Sequence, residues 1–211
     1  MPPANQGRCI IFIDGSNFYH QIRDAGITPG ALNYPRLAER LVMGREWIET
    51  RYYVGEVAAA GGPLHTQQKA FLDSIRAHPR QQVVLGRIQR FHESNPLAHE
   101  LSQYLAGLRI RIDTAVYKTL VELAKKHKQV MTYKEKGVDV ALACDMVRFA
   151  QEGRYDLAYL ISNDGDLRPA VELVRHYGKR VFAAGRIVGP ILRQACNRTI
   201  ILDQAWLRAC T

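Results

Sequence analysis

The first regular pattern in the chain is Cys9-Ile10-Ile11-Phe12-Ile13, five apolar positions in a row that stop at Asp14-Gly15. A continuous apolar run of this length suits a buried strand, because a helix of five residues would be too short to stand. Similar short runs predict strands over 82–91, 129–134, 156–162, 180–184 and 199–202, and the alternation of Ile48, Tyr52 and Val54 predicts another over 47–57. Helical spacing fills the intervals. It covers 18–24, 35–44 with Leu37, Leu41 and Val42 on one face, 65–77 with Phe71, Leu72 and Ile75, then 138–151, 167–177 and 190–197. The small-residue stretch 58–63 reads as a loop on the rim of a site. Strands alternating with helices predict an α/β fold with a mostly parallel sheet covered on both faces. The alternation breaks once. Residues 92–127 carry two helical patterns in succession, one from Pro96 through Leu108 and one over 115–128, and read as a helical insertion or lid in a single 211-residue domain.

Three acidic clusters stand out against this frame: Asp14 after the first strand, Asp139 in Lys-Gly-Val-Asp-Val, and Asp164 with Asp166 in Leu-Ile-Ser-Asn-Asp-Gly-Asp. Asp14 and Asp164 follow apolar strands, and parallel sheets of this kind bind ligands outside the carboxyl ends of their strands. Carboxylates gathered there repel one another, and a divalent cation is the plainest means of keeping them ionised. Ser16 and Asn17 are both able to cap the first helix, which leaves Asp14 free for a cleft. Asp166, nearer to a helix start, is the better capping candidate of its pair. Ser162 and Asn163 add neutral oxygens, and Lys136 sets a phosphate-binding cation beside Asp139. Asp145 lies six residues beyond Asp139, roughly 240° around a helix, so the two do not share an ion. Asp145 reads as a supporting group that orients Asn17 or Lys136, or pairs with Arg148.

Composition narrows the partner. A formal net charge of +9 favours a polyanion. The densest basic run, Lys125-Lys126-His127-Lys128, leads through Lys134 and Lys136 into the Asp139 motif. Arg87 and Arg90 beside Phe91 add phosphate contacts, with Tyr19 and Tyr133 as stacking candidates. The start of the chain is polar and no apolar run approaches the roughly 20 residues of a membrane-spanning helix, so a cytoplasmic protein is expected. Four scattered cysteines form neither a zinc spacing nor a disulfide framework, and Cys9 and Cys144 read as small buried residues. No histidine lies within the acidic motifs; His20, one turn beyond Asn17, is within reach of the cleft, with a surface or packing role as the favoured reading. An aspartyl-nucleophile phosphatase is disfavoured, since it wants a second acid where Ser16 stands.

The segments Ile11-Phe12-Ile13-Asp14-Gly15-Ser16-Asn17, Lys136-Gly137-Val138-Asp139-Val140 through Asp145, and Ser162-Asn163-Asp164-Gly165-Asp166 resemble, in order, the three signature blocks of the NYN domains, with the LabA-like branch of that PIN-like nuclease superfamily as the nearest likeness. Leu167 departs from the Phe that many relatives carry there and keeps its apolar character. The resemblance implies a PIN-like three-layer α/β/α sandwich and a ribonuclease dependent on Mg2+ or Mn2+. It also implies an acidic metal site of Asp14, Asp139, Asp164 and Asp166, with Asn17 and Ser162 beside it and Lys136 and Asp145 in support. RNA is the expected partner, with a second copy of the chain, an antitoxin or another regulatory protein as further ones. Structure-selective cleavage of DNA and a non-catalytic RNA-binding module remain as alternatives.

Overall fold

The computed structural model describes residues 7–57, 63–108 and 113–211; the loop expected over 58–63 falls almost wholly outside them. The chain runs β1 (Arg8–Asp14), α1 (Gly15–Asp24), α2 (Tyr34–Val42), β2 (Glu46–Glu56), α3 (Pro63–Arg76), β3 (Gln81–Ser94), α4 (Pro96–Leu108), α5 (Thr114–Lys126) and β4 (Gln129–Lys136). It continues α6 (Val138–Gln151), β5 (Leu157–Ile161), α7 (Arg168–His176), β6 (Arg180–Gly185), α8 (Pro190–Ala195), β7 (Arg198–Ile201) and α9 (Gln204–Arg208). The strands form one sheet in the order β4-β3-β2-β1-β5-β6-β7. β1 pairs in parallel with both β2 and β5, and β2–β3, β5–β6 and β6–β7 are parallel as well.

The apolar run of β1 explains the layering. Successive side chains on a strand point to opposite faces, so Cys9, Ile11 and Ile13 enter one core while Ile10 and Phe12 enter the other. β5 divides in the same way, Tyr159 and Ile161 to one side and Ala158 and Leu160 to the other. Residues of α1, α2 and α9 build the first core, and those of α6, α7 and α8 the second. The result is the three-layer α/β/α sandwich. Leu207 of α9 is fully buried in the first core, so the C-terminal segment belongs to the fold itself.

From β1 the chain builds outward through β2 and β3, then returns to place β5 on the opposite side of β1. Diverging connections of this kind leave a crevice at the carboxyl ends of β1 and β5, the switch point where open α/β sheets bind ligands.

The chain separates into two compact units, 1–87 with 135–211, and 88–134. Within the second unit α4 and α5 pack together, burying Ala98, Leu105 and Ala124, while Leu97 and Tyr104 are exposed. Lys134 pairs with Glu93 there, and the Arg90 guanidinium lies 5.9 Å from the Tyr133 ring centre. Among the described residues no helix is long and apolar enough to cross a membrane.

Candidate functional site

Asp14 is the last residue of β1 and the cap of α1, so the strand turns into the helix with no loop between them. One carboxylate oxygen accepts the Asn17 backbone N–H at 3.1 Å. The other accepts the Ser162 hydroxyl at 2.8 Å. The expectation that Ser16 or Asn17 would cap α1 is therefore corrected: a carboxylate has two oxygens, and Asp14 caps with one while the other faces the neighbouring strand end. Gly15 makes the tight turn feasible, because a Cβ there would lie 2.5 Å from the Tyr52 ring and 2.6 Å from the Tyr53 carbonyl.

Ser162 is fully buried and links the first and third acidic segments. Its Oγ also accepts the Asp164 N–H at 3.0 Å. Asp164 in turn caps the 3-10 turn Gly165–Leu167, its Oδ1 accepting the Asp166 N–H at 2.9 Å. The capping role expected of Asp166 thus falls to Asp164, and Asp166 lies exposed in the turn that follows. Asn17 ties the same two segments from the other side. Its amide donates to the Asn163 side chain, and its Oδ1 accepts the Asn163 N–H at 3.3 Å and the Gln21 amide at 2.6 Å. Gln21 is anchored by the N–H groups of Arg186 and Ile187, at 2.7 and 3.2 Å.

The second segment contributes from α6. Gly137 adopts φ +81°, a left-handed conformation that glycine takes freely, and the helix starts at Val138 with Asp139 in its first turn. Asp14, Asn17, Asp139 and Asp164 line one open cleft of about 470 Å³. Ser16, Asn163 and Gly165 complete the motif residues around it, and Glu135 and His20, from outside the acidic motifs, line it as well. Glu135 sits at the end of β4, its Oε1 accepting the Gly55 N–H at 2.8 Å. Its position four residues before Asp139 was a signal overshadowed by the flanking lysines. His20, read as surface or packing, reaches the cleft because it lies one helical turn beyond Asn17.

The electrostatics carry the mark of crowded acids. Asp14 is only 5% exposed, and its carboxyl is pushed up to about 6, chiefly by burial, with Asp139 and Glu135 adding to the rise. The Asn17 N–H and Ser162 hydroxyl pull it down without cancelling the burial. Asp139 is also raised, first by desolvation and then by Asp164, Glu135 and Asp166. Among the described residues no group of three acid, histidine or cysteine side chains closes tightly around a single point. The carboxylates instead rim an open cleft and offer oxygen donors, with the His20 imidazole in the same lining. An open cleft of this kind fits a divalent cation that keeps most of its water shell and takes one or two carboxylates directly.

The remaining candidates fall elsewhere. Asp145 is held between Arg51 at 3.1 Å, Arg148 at 2.8 Å and the Tyr53 hydroxyl at 3.0 Å. Of the partners expected for it, Arg148 is the one the structure records; Asn17 is engaged with Asn163 and Gln21 instead. Lys136 and Arg87 are exposed in the first unit. Arg90, Lys125, Lys126, Lys128 and Lys134 are exposed in the second, where Lys125 pairs with Glu122 at 3.1 Å. Cys9 is buried as expected, but Cys144 is exposed, on the outer side of α6.

A family model described as the NYN domain matches residues 8–203. No curated protein sequence matches the chain. Among solved structures, a crystal structure of a protein of unknown function from Vibrio parahaemolyticus is similar, with a TM-score of 0.58 at 19% identity, covering 96% of this chain and 97% of that one. At that identity the likeness concerns the fold alone.

Proposed function

The chain belongs to the NYN domain family, whose members are generally nucleases of the PIN-like superfamily, and from that premise we propose that it is a divalent-metal-dependent ribonuclease. One observation carries the reading. Acids from three distant sequence segments, Asp14, Asp139 and Asp164, line one cleft at the switch point of the sheet, and mutual repulsion contributes to the raised carboxyls of Asp14 and Asp139. Asp14, Asp139 and Asp164 would hold the cation, with Asp166 beside them. A cation bound there would supply a lowered pKa for its water and offset charge building on the scissile phosphate.

The chain's own groups prepare that site. The Ser162 hydroxyl fixes the direction of the Asp14 carboxylate and, through its contact with the Asp164 N–H, sets the spacing between two acids. Asn17, held by Gln21, keeps the β1 and β5 ends together. No nucleophilic side chain is required, since water attacks the phosphorus. In the first unit Lys136 and Arg87 supply phosphate contacts; in the second, Arg90, Lys125, Lys126, Lys128 and Lys134 are phosphate-binding candidates of their own, and the net charge of +9 gives RNA binding a strong salt dependence.

The test compares labelled RNA, single-stranded DNA and duplex DNA in Mg2+, Mn2+ or EDTA. RNA should be cleaved with either metal and not in EDTA, and Asp14→Asn and Asp164→Asn should each slow cleavage by about a hundredfold or more. Preferred cleavage of either DNA overturns the substrate assignment. Salt-sensitive RNA binding with no cleavage in any metal identifies a binding module instead.

A further inference from the structure

A second cavity opens beside the acid cleft. It has a volume of about 550 Å³ and is lined largely by apolar side chains, with Tyr19, Tyr52 and Phe71 supplying aromatic surface. Its size falls in the range of small-ligand sites. Ser16 and Glu135 line both cavities, so the two adjoin. The cavity is held in shape from below. Tyr52 is buried, donates its hydroxyl to the Gly15 carbonyl at 3.2 Å, and stacks edge-on with Phe71 at 5.8 Å. The Gln68 amide spans the end of β2, donating to the Gly55 carbonyl at 2.8 Å and accepting the Val57 N–H at 2.9 Å.

We propose that this cavity is a nucleobase subsite, receiving a base of the strand whose phosphate lies at the acid cleft. The inference rests on the nuclease reading for the identity of the strand, and on the cavity itself for the base. Among the described residues lining the cavity Glu135 is the one charged group, so an anion is disfavoured and an uncharged, largely apolar occupant fits the apolar walls. Its place beside the acid cleft suits an occupant joined to a group that sits in that cleft. A nucleobase meets both conditions. Tyr19 is 39% exposed, with the Arg23 guanidinium 5.8 Å from its ring, and offers a stacking face at the rim. Glu135 has one oxygen on the Gly55 N–H and keeps acceptor capacity for a base N–H. The Gln67 side chain is exposed at the same lining and brings both a donor and an acceptor. Glu135 thus faces two tasks, one in each cavity, and couples the position of the base to the acid cluster.

The experiment titrates the full chain in EDTA with each of the four ribonucleosides and with ribose, followed by NMR. Neutral probes avoid repulsion from the acids. At least one nucleoside is expected to bind about tenfold more tightly than ribose. Tyr19→Ala should reduce that preference severalfold, and Thr28→Trp, which fills the cavity from an exposed rim position, should remove it. Circular dichroism and thermal melting verify that both variants fold. Ribose binding as well as every nucleoside, or a preference that survives Thr28→Trp in a folded protein, overturns the subsite. RNA cleavage is measured on the same preparations. Nucleoside preference without cleavage defeats the nuclease reading and leaves the subsite standing; cleavage without nucleoside preference does the reverse.

Discussion

Asp14 shows how much a single residue is asked to do. It caps a helix, accepts a buried hydroxyl and sits among other acids at 5% exposure. Its carboxyl, raised from an ordinary 3.8 to about 6, corresponds to an order of 3 kcal/mol, comparable to the gain from burying one large apolar side chain. The sign follows from which form the fold prefers. The folded state favours protonated Asp14, so this contribution is complete below about pH 4 and is lost as the pH rises through about 6. Metal-free protein is therefore held back by this group at pH 8. Asp14→Asn, whose amide still accepts from Asn17 and is able to donate to Ser162, should be more stable than the parent at pH 8 in EDTA by about 1–3 kcal/mol, with the difference gone by pH 4. Urea unfolding at the two pH values checks this, and a variant less stable than the parent at pH 8 would refute the strained-carboxylate account. The importance of Asp14 was readable from its place after an apolar strand. Its capping role was not, because Ser16 and Asn17 are equally good cap residues and only the three-dimensional turn decides which oxygen meets the N–H groups.

At the scale of elements, α6 separates its two acids by function. Asp139 points to the cleft from the first turn, while Asp145 faces β2 and fastens the helix to the sheet through Arg51 and Tyr53. Arg51 also lies against the Phe149 ring at 5.0 Å, so the clamp combines an ion pair with a cation–π contact. Both partners of the Arg51–Asp145 pair are mostly shielded, at 18% and 15% side-chain exposure, which places the pair above an ordinary surface bridge in worth. Asp145→Asn keeps a hydrogen-bond acceptor for Tyr53 and removes the charge. It should cost about 1–2 kcal/mol of stability while leaving Mn2+ affinity unchanged. A fall in Mn2+ affinity would make Asp145 part of the metal site. Helical rotation alone was enough to separate Asp145 from Asp139 in the sequence. Its partners were not readable, since Arg51 and Tyr53 lie on a strand whose neighbours depend on the sheet order. Glu135 was missed for a related reason: nothing local to Lys-Glu-Lys reveals that the N–H of Gly55 waits across the sheet.

Across the whole molecule, one topological fact organises the site. The chain leaves β1 in one direction, comes back on the other side as β5, and so sets the ends of both strands around a single crevice. The alternation of apolar runs and helical spacing was sufficient to recover the α/β class, the order of elements and the two-sided burial of the sheet, because period and length are local properties. Short elements escaped it: the 3-10 turn Pro29–Ala31 and α9 are too brief to show a period. The departure from alternation at 92–127 falls within a compact unit, 88–134, that carries eight of the chain's 29 lysines and arginines. What the first unit contributes is the acid cleft, and the central claim is that its carboxylates are assembled to hold a divalent cation. The most direct measurement is Mn2+ binding by calorimetry at pH 8 for the parent chain, Asp14→Asn and Asp164→Asn. The account predicts binding by the parent that weakens at least about tenfold in each variant; no binding by the parent, or equal affinity in all three proteins, would contradict it.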